Sequence, residues 1–137
     1  MKDKNYLFVC VENAGRSKMA EAFAKKLGMN AQSAGTLPSV SVNPVVMEAM
    51  REKGIDMSDS KPTMLHDSMI NWADLVIVMG CSLQEACPAP LLAALQKKIV
   101  DWNLPDPKGK PIEEVRRIRD MIEKNVLELA RKILNDD

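Results

Sequence analysis

The chain has 137 residues, 46% apolar and 28% charged, and its 19 basic and 19 acidic residues leave no net charge. This is the composition of an ordinary globular protein, expected to form a single domain over 1–137 that is long enough to bury a real core. The charge balance argues against nucleic acid or an acidic membrane as a partner. No apolar run approaches the ~20 residues of a membrane span, and the six-residue apolar stretch near the N-terminus is too short for a secretory signal, so a cytoplasmic monomer is expected.

Along the chain, Tyr6 to Val11 is an unbroken apolar run suited to a strand covered on both faces. Arg16 to Leu27 follows as a helix with Met19, Ala20, Phe23 and Leu27 at helical spacing and Gly28 as its stop. Asn30 to Ala34 is a short second strand ending at Gly35, and a Ser- and Pro-containing loop leads to a helix capped by Asn43 with Pro44 at its first position. Val46, Met47 and Met50 of that helix should face inward, and Gly54 should end it. Thr63 to Trp72 reads as a short helix, Asp74 to Met79 as a third strand, Pro90 to Gln96 as another short helix and Lys98 to Trp102 as a fourth strand. After a loop holding Pro105, Pro107 and Gly109, a long helix runs from Pro111 to about Leu134. Glu113 and Glu114 in its first turn and Arg131 and Lys132 in its last match the helix dipole. Strands alternating with helices imply right-handed crossovers and a parallel sheet with helices on both faces. Ligands bind such sheets at the carboxyl ends of the strands, where Cys10, Cys81 and Asp106 would gather.

Cys10 stands between the first strand and the first helix, with Arg16 and Ser17 six and seven positions on. The thiolate is the attacking form of cysteine, and a helix N-terminus with a nearby arginine favours it. The Arg16 fork suits two oxygens of a tetrahedral oxyanion, and the backbone N–H groups of the loop Val11, Glu12, Asn13, Ala14, Gly15, Arg16 supply further donors. Ser17 can donate to the sulfur, and Asn13 and Gly15 are residue types that tolerate left-handed backbone. On its own, Cys10 could equally be a buried structural thiol. With Cys81 and Cys87 the cysteines number three, an odd count that leaves one outside any fixed disulfide. The five residues between Cys81 and Cys87, and a lone His66 in an unrelated stretch, do not suit zinc.

The Cys-x5-Arg-Ser loop follows the strand Tyr6 to Val9 and precedes Met19-Ala20-Glu21-Ala22-Phe23. With Ser33-Ala34-Gly35, Asn43-Pro44, Asp74-Leu75-Val76, Asp106-Pro107 and the closing helix, it resembles the low-molecular-weight protein tyrosine phosphatase superfamily over nearly the whole chain. That superfamily holds both phosphatases and thioredoxin-coupled arsenate reductases. The resemblance implies a three-layer α/β/α fold with a four-stranded parallel sheet in the order 2-1-3-4. It implies Asp106 as a general acid on a mobile loop, where the bare sequence would give only a turn.

For the reductase branch the resemblance implies a relay. Cys10 attacks arsenate, Cys81 attacks the Cys10 sulfur as arsenite leaves, Cys87 attacks Cys81, and thioredoxin or a similar dithiol reduces the resulting pair. No cofactor and no metal are implied. Bridged Cα atoms must lie within ~7 Å, whereas six positions of a straight helix span about 9 Å, so residues 80–90 are expected to rearrange between redox states, with Pro88 and Pro90 easing the change. Core packing of Cys81 and Cys87 behind the third strand is the lesser alternative.

Phosphatases of this type usually follow the acid with aromatic residues, whereas Lys108-Gly109 follow here, aromatics total 4%, and Trp72 and Trp102 read as core. Glu12, Ala14 and Gly15 depart from the usual loop, Glu12 being acceptable beside an anion only if it points outward. The Cys81–Cys87 spacing is one residue shorter than in the best-known reductases. Residues matching Asn13, Glu21 and Ser33 bind potassium in some reductases, but the carboxylate expected near position 63 is Thr63, which leaves that ligand set one short and the ion open; Glu21 alone reads as a solvated helix residue. The ten methionines read as core filler and His66 as a surface residue. Two alternatives stay open: a phosphatase acting through a Cys10 phosphocysteine, and a non-catalytic oxyanion or redox sensor with an exposed Asp106 far from Cys10.

Overall fold

The computed structural model describes residues 4–80 and 99–135. Its sheet is built on β1 (Asn5–Cys10), which pairs in parallel with β2 (Asn30–Gly35) on one side and β3 (Leu75–Val78) on the other; β4 (Ile99–Asp101) completes the order β2-β1-β3-β4. The register sets Cys10 opposite Gly35, Val9 opposite Val78 and Val78 opposite Asp101, so the carboxyl ends of all four strands meet at one edge.

Alternation along β1 divides the interior in two. Tyr6, Phe8 and Cys10 belong to the larger core with α1 (Arg16–Lys26), α2 (Pro44–Arg51) and the long α4 (Ile112–Asn135), through Met19, Phe23, Val46, Met50, Ile118 and Ile122. Leu7 and Val9 belong to a smaller core with Val76, Val78, Leu65 and Ile70, the last from α3 (Asp67–Trp72). Helices therefore cover both faces, and the parity of β1 puts the Cys10 sulfur on the α1 side. Phe8 is fully buried and meets the half-buried Trp102 ring with centroids 5.8 Å apart. Among the described residues, no helix is long and apolar enough to cross a membrane.

Several sequence expectations shift. β1 and β3 end one residue early, at Cys10 and Val78. The expected helix from Thr63 begins only at Asp67, because residues 63–65 are held extended against β2: Gly35 N–H donates to Thr63 O at 2.8 Å, Leu65 N–H donates to Gly35 O at 3.0 Å, and Met64 bridges Gly35. His66 is exposed and precedes this shorter helix without a side-chain capping bond. α2 starts as expected, with Asn43 Oδ1 accepting from Val45 N–H at 2.9 Å and Pro44 following, but it ends at Arg51, and Met47 is only half-buried. Met19, Met50, Met57 and Met79 are core, whereas Met64 and Met121 are exposed and do not act as filler. The expected helix at 90–96 lies outside the described residues.

A charged joint ties α2 to α4. Glu52 accepts a two-pronged bond from Arg116 (2.7 to 3.1 Å) and a 2.7 Å bond from buried Arg119, which also donates to Ala49 O at 2.8 Å. Hydrogen bonds from Arg116 and then Arg119 lower the Glu52 carboxyl from 4.5 to about 2. A carboxyl depressed on folding contributes stability that is present above its unfolded value and lost as pH falls through its folded one. Glu52→Gln should therefore be less stable than wild type at pH 7, and the gap in urea midpoint should close between pH 4.5 and about 2. A gap constant over that range would show that the joint does not depend on ionised Glu52.

Candidate active site

The loop from Cys10 to Arg16 wraps the sulfur in donors. Asn13 N–H donates to Cys10 Sγ at 3.2 Å, and Ser17 Oγ lies 2.9 Å from it. The direction of that last bond follows from its neighbours. Thr63 N–H donates to Asn13 Oδ1 at 2.8 Å, which fixes the Asn13 amide. Its Nδ2 then donates to Ser17 Oγ (2.6 Å) and Ser33 Oγ (3.0 Å), and Ser33 donates to Glu21 Oε1 (2.5 Å). Ser17 accepts from Asn13, so its own hydrogen is free to donate to the sulfur. Asn13 is fully buried and takes the left-handed φ of 52° that the sequence anticipates.

Gly15 does not. Its φ is −144°, and its need is for space: a Cβ there would come within 2.9 Å of Pro107 Cγ. Gly35 is likewise a matter of close approach, since a Cβ would meet Val11 O at 2.6 Å. Gly15 also has no side chain to cap α1, whose first turn carries no acidic residue, so the first N–H groups are left for an anion.

Arg16 is buried and pinned through one nitrogen. Nη1 donates to Met79 O at 2.6 Å and Leu104 O at 2.8 Å. Gly80, at φ 88°, lets the backbone of 103–104 pack within 3 Å of where its Cβ would be, which brings those two carbonyls together. Among the described residues only Nη1 is so engaged, leaving the Nε–Nη2 edge for two oxygens of a ligand.

Asp106 Oδ2 stands 3.9 Å from Arg16 Nη2, and its Oδ1 accepts from Lys108 N–H at 3.0 Å in a side-chain turn. Its side chain is 57% exposed, as a sensor would have it, but it sits over the same pocket as Cys10 rather than far away. That pocket has a volume of about 450 Å³, and among the described residues no aromatic side chain lines it. Glu12 points to Lys108 Nζ, 2.8 Å away, and that hydrogen bond raises the Lys108 ammonium above its ordinary value.

The structure thus brings together Cys10, Val11, Glu12, Ala14, Gly15, Arg16 and Asp106 around one cavity, with Asn13 and Ser17 directly behind the sulfur. Cys81 and Cys87, and the rearrangement expected for 80–90, lie outside the described residues. Sequence reasoning missed the hub role of Asn13 and misjudged Glu21, whose side chain is only 13% exposed; the lysines at i−3 and i+4, Lys18 and Lys25, signal that its charge is partnered. Those ammoniums lie 3.5 and 2.8 Å from Glu21, and Asn13 Oδ1 accepts from Thr63 N–H.

The description of the low molecular weight phosphotyrosine protein phosphatase family fits residues 5–137, and the chain belongs to that family. It is 38% identical over 124 residues to arsenate reductase 2 of Staphylococcus haemolyticus, covering 89% of this chain and 92% of the relative. Among solved structures it is similar to a thioredoxin-dependent arsenate reductase of Corynebacterium glutamicum (33% identity, TM-score 0.77, 98% of this chain and 63% of that one). It is also similar to the arginine phosphatase YwlE of Geobacillus stearothermophilus (27% identity, TM-score 0.86, 97% and 94%).

Proposed function

We infer that this protein reduces arsenate to arsenite through a cysteine relay, in a reducing cytoplasm, with electrons from thioredoxin or a similar dithiol. The observation that carries the reading is a donor-wrapped Cys10 under Arg16 and Asp106, in a chain that supplies two more thiols. Arsenate sits on the loop N–H groups and the free edge of Arg16. The Cys10 thiolate attacks arsenic, and Asp106 protonates the departing oxygen, which leaves as water. The Cys81 thiolate then attacks the Cys10 sulfur. The electron pair of the sulfur–arsenic bond stays on arsenic, which falls from five- to three-valent and leaves as arsenite, and a Cys10–Cys81 disulfide forms. Cys87 attacks Cys81 and frees Cys10, and an external dithiol reduces Cys81–Cys87. The kinship with arsenate reductases of other organisms, one of them thioredoxin-dependent, supports arsenate as the substrate and a dithiol as the reductant.

The likeness to an arginine phosphatase favours one rival, hydrolysis of a phosphorylated substrate by Cys10, Arg16 and Asp106 alone. The pocket's lack of aromatic walls weighs against an aryl ester. Purified protein with arsenate, thioredoxin, thioredoxin reductase and NADPH separates the two. NADPH should be consumed, and Cys87→Ser should stop its steady consumption. No consumption by wild type, or equal turnover by Cys87→Ser, contradicts the relay.

A further inference from the structure

Glu12 is the residue that suits an oxyanion loop least, and the structure gives it a specific partner. Its Oε2 lies 2.8 Å from Lys108 Nζ, joining the loop that follows Cys10 to the loop that carries Asp106. The two loops meet at three successive positions: Asp106 stands 3.9 Å from Arg16, Pro107 closes on Gly15 where no Cβ would fit, and Lys108 reaches Glu12. Lys108 N–H also holds the Asp106 carboxylate at 3.0 Å, so one residue positions the acid and fastens its loop. With side chains 69% and 38% exposed, this ion pair adds little to stability, and its consequence lies at the mouth of the pocket that both residues line.

We propose that Glu12 and Lys108 form a latch that narrows the Asp106 side of the Cys10 pocket and favours a bare tetrahedral oxyanion over one that carries an organic substituent. An acid must face the oxygen it protonates. In an ester that oxygen bears the substituent, which therefore leaves on the Asp106 side, where the latch closes. A bare oxyanion has nothing there to accommodate. The pair also leaves the mouth without net charge, so selection acts on shape. The proposal rests on reading the Cys10 pocket as an oxyanion site, which the reductase and phosphatase readings share.

The test uses Cys81→Ser/Cys87→Ser protein, in which Cys10 is the one remaining thiol of the three. Protection of Cys10 from iodoacetamide is measured with inorganic phosphate and with phenylphosphonate, and the ratio of the two protection constants is followed. Phosphate should protect far better in the background protein. Glu12→Gln and Lys108→Met should each lower the ratio about fivefold, the scale on which one group is sorted in a pocket. The exchange of Glu12→Lys with Lys108→Glu, which rebuilds the pair reversed, should return it to within about twofold. The two single variants change the mouth charge in opposite senses, and charge alone acts alike on both ligands. A ratio unchanged in both, or moved in opposite directions, overturns the latch while phosphate protection persists. Loss of phosphate protection in the background protein overturns the oxyanion reading, and the latch with it.

Discussion

Replacing Cys10 by serine is expected to lower arsenate turnover by at least ~10³-fold while leaving the fold and oxyanion binding in place, on the scale of removing a nucleophile that acts with its partners as a unit. Serine is close to cysteine in shape, and its Oγ can accept from Asn13 N–H and bond with Ser17 as the sulfur does at 3.2 and 2.9 Å. Two properties vanish. A serine hydroxyl is not ionised near neutral pH, so the donors behind it have no anion to stabilise. An alkoxide ester of arsenate also cannot hand electrons to a second thiol, because relay transfer requires a sulfur–sulfur bond. Thermal unfolding and phosphate binding should therefore match wild type while arsenite formation is lost. Residual turnover above about one tenth of wild type would move the nucleophile elsewhere in the chain.

The second large effect is expected at Arg16→Lys, and it should be of a different kind. Arg16 performs two tasks with separate nitrogens: Nη1 holds Met79 O and Leu104 O, and the remaining edge is offered to the oxyanion. A lysine ammonium is a point charge and cannot hold two carbonyls and present a planar fork together. Loss of the fork should cost about 10²–10³ in kcat/KM, the scale of an oxyanion donor. Leaving one or both buried carbonyls without a donor should cost about 1–3 kcal/mol of stability. Unlike Cys10→Ser, this variant should lose phosphate affinity as well as rate. Urea unfolding together with phosphate titration checks both arms, and an unchanged midpoint would mean that the Met79 and Leu104 carbonyls find another donor.

Much of the frame is legible in the sequence because it is written in side chains. The apolar run ending at Cys10, the Asn43-Pro44 start and the stepped apolar face of the last helix are local signals, and the parallel 2-1-3-4 sheet follows with the family resemblance. What escapes sequence reading is carried by backbone. The carbonyls of Met79 and Leu104 that orient Arg16, and the Thr63 N–H that fixes the Asn13 amide, have no side-chain signature. The same cause explains the misplaced helix start: residues 63–65 look helical locally, but a ladder along Gly35 outweighs that preference. Gly15 illustrates a subtler gap. The sequence offers Gly15 as a residue that tolerates a left-handed turn, whereas the structure uses it for the close approach of Pro107.

The central claim is that oxidation of this protein's own thiols supplies the two electrons that reduce arsenic. A single-turnover reaction tests it most directly. Fully reduced protein is mixed with arsenate in the absence of any other thiol, arsenite is quantified, and the disulfides are mapped by mass spectrometry. One arsenite per chain with a Cys81–Cys87 disulfide is the expected result, and Cys87→Ser should stop with Cys10 joined to Cys81. Cysteines that remain reduced, with no arsenite formed, would contradict the account and return the Cys10 pocket to hydrolytic chemistry.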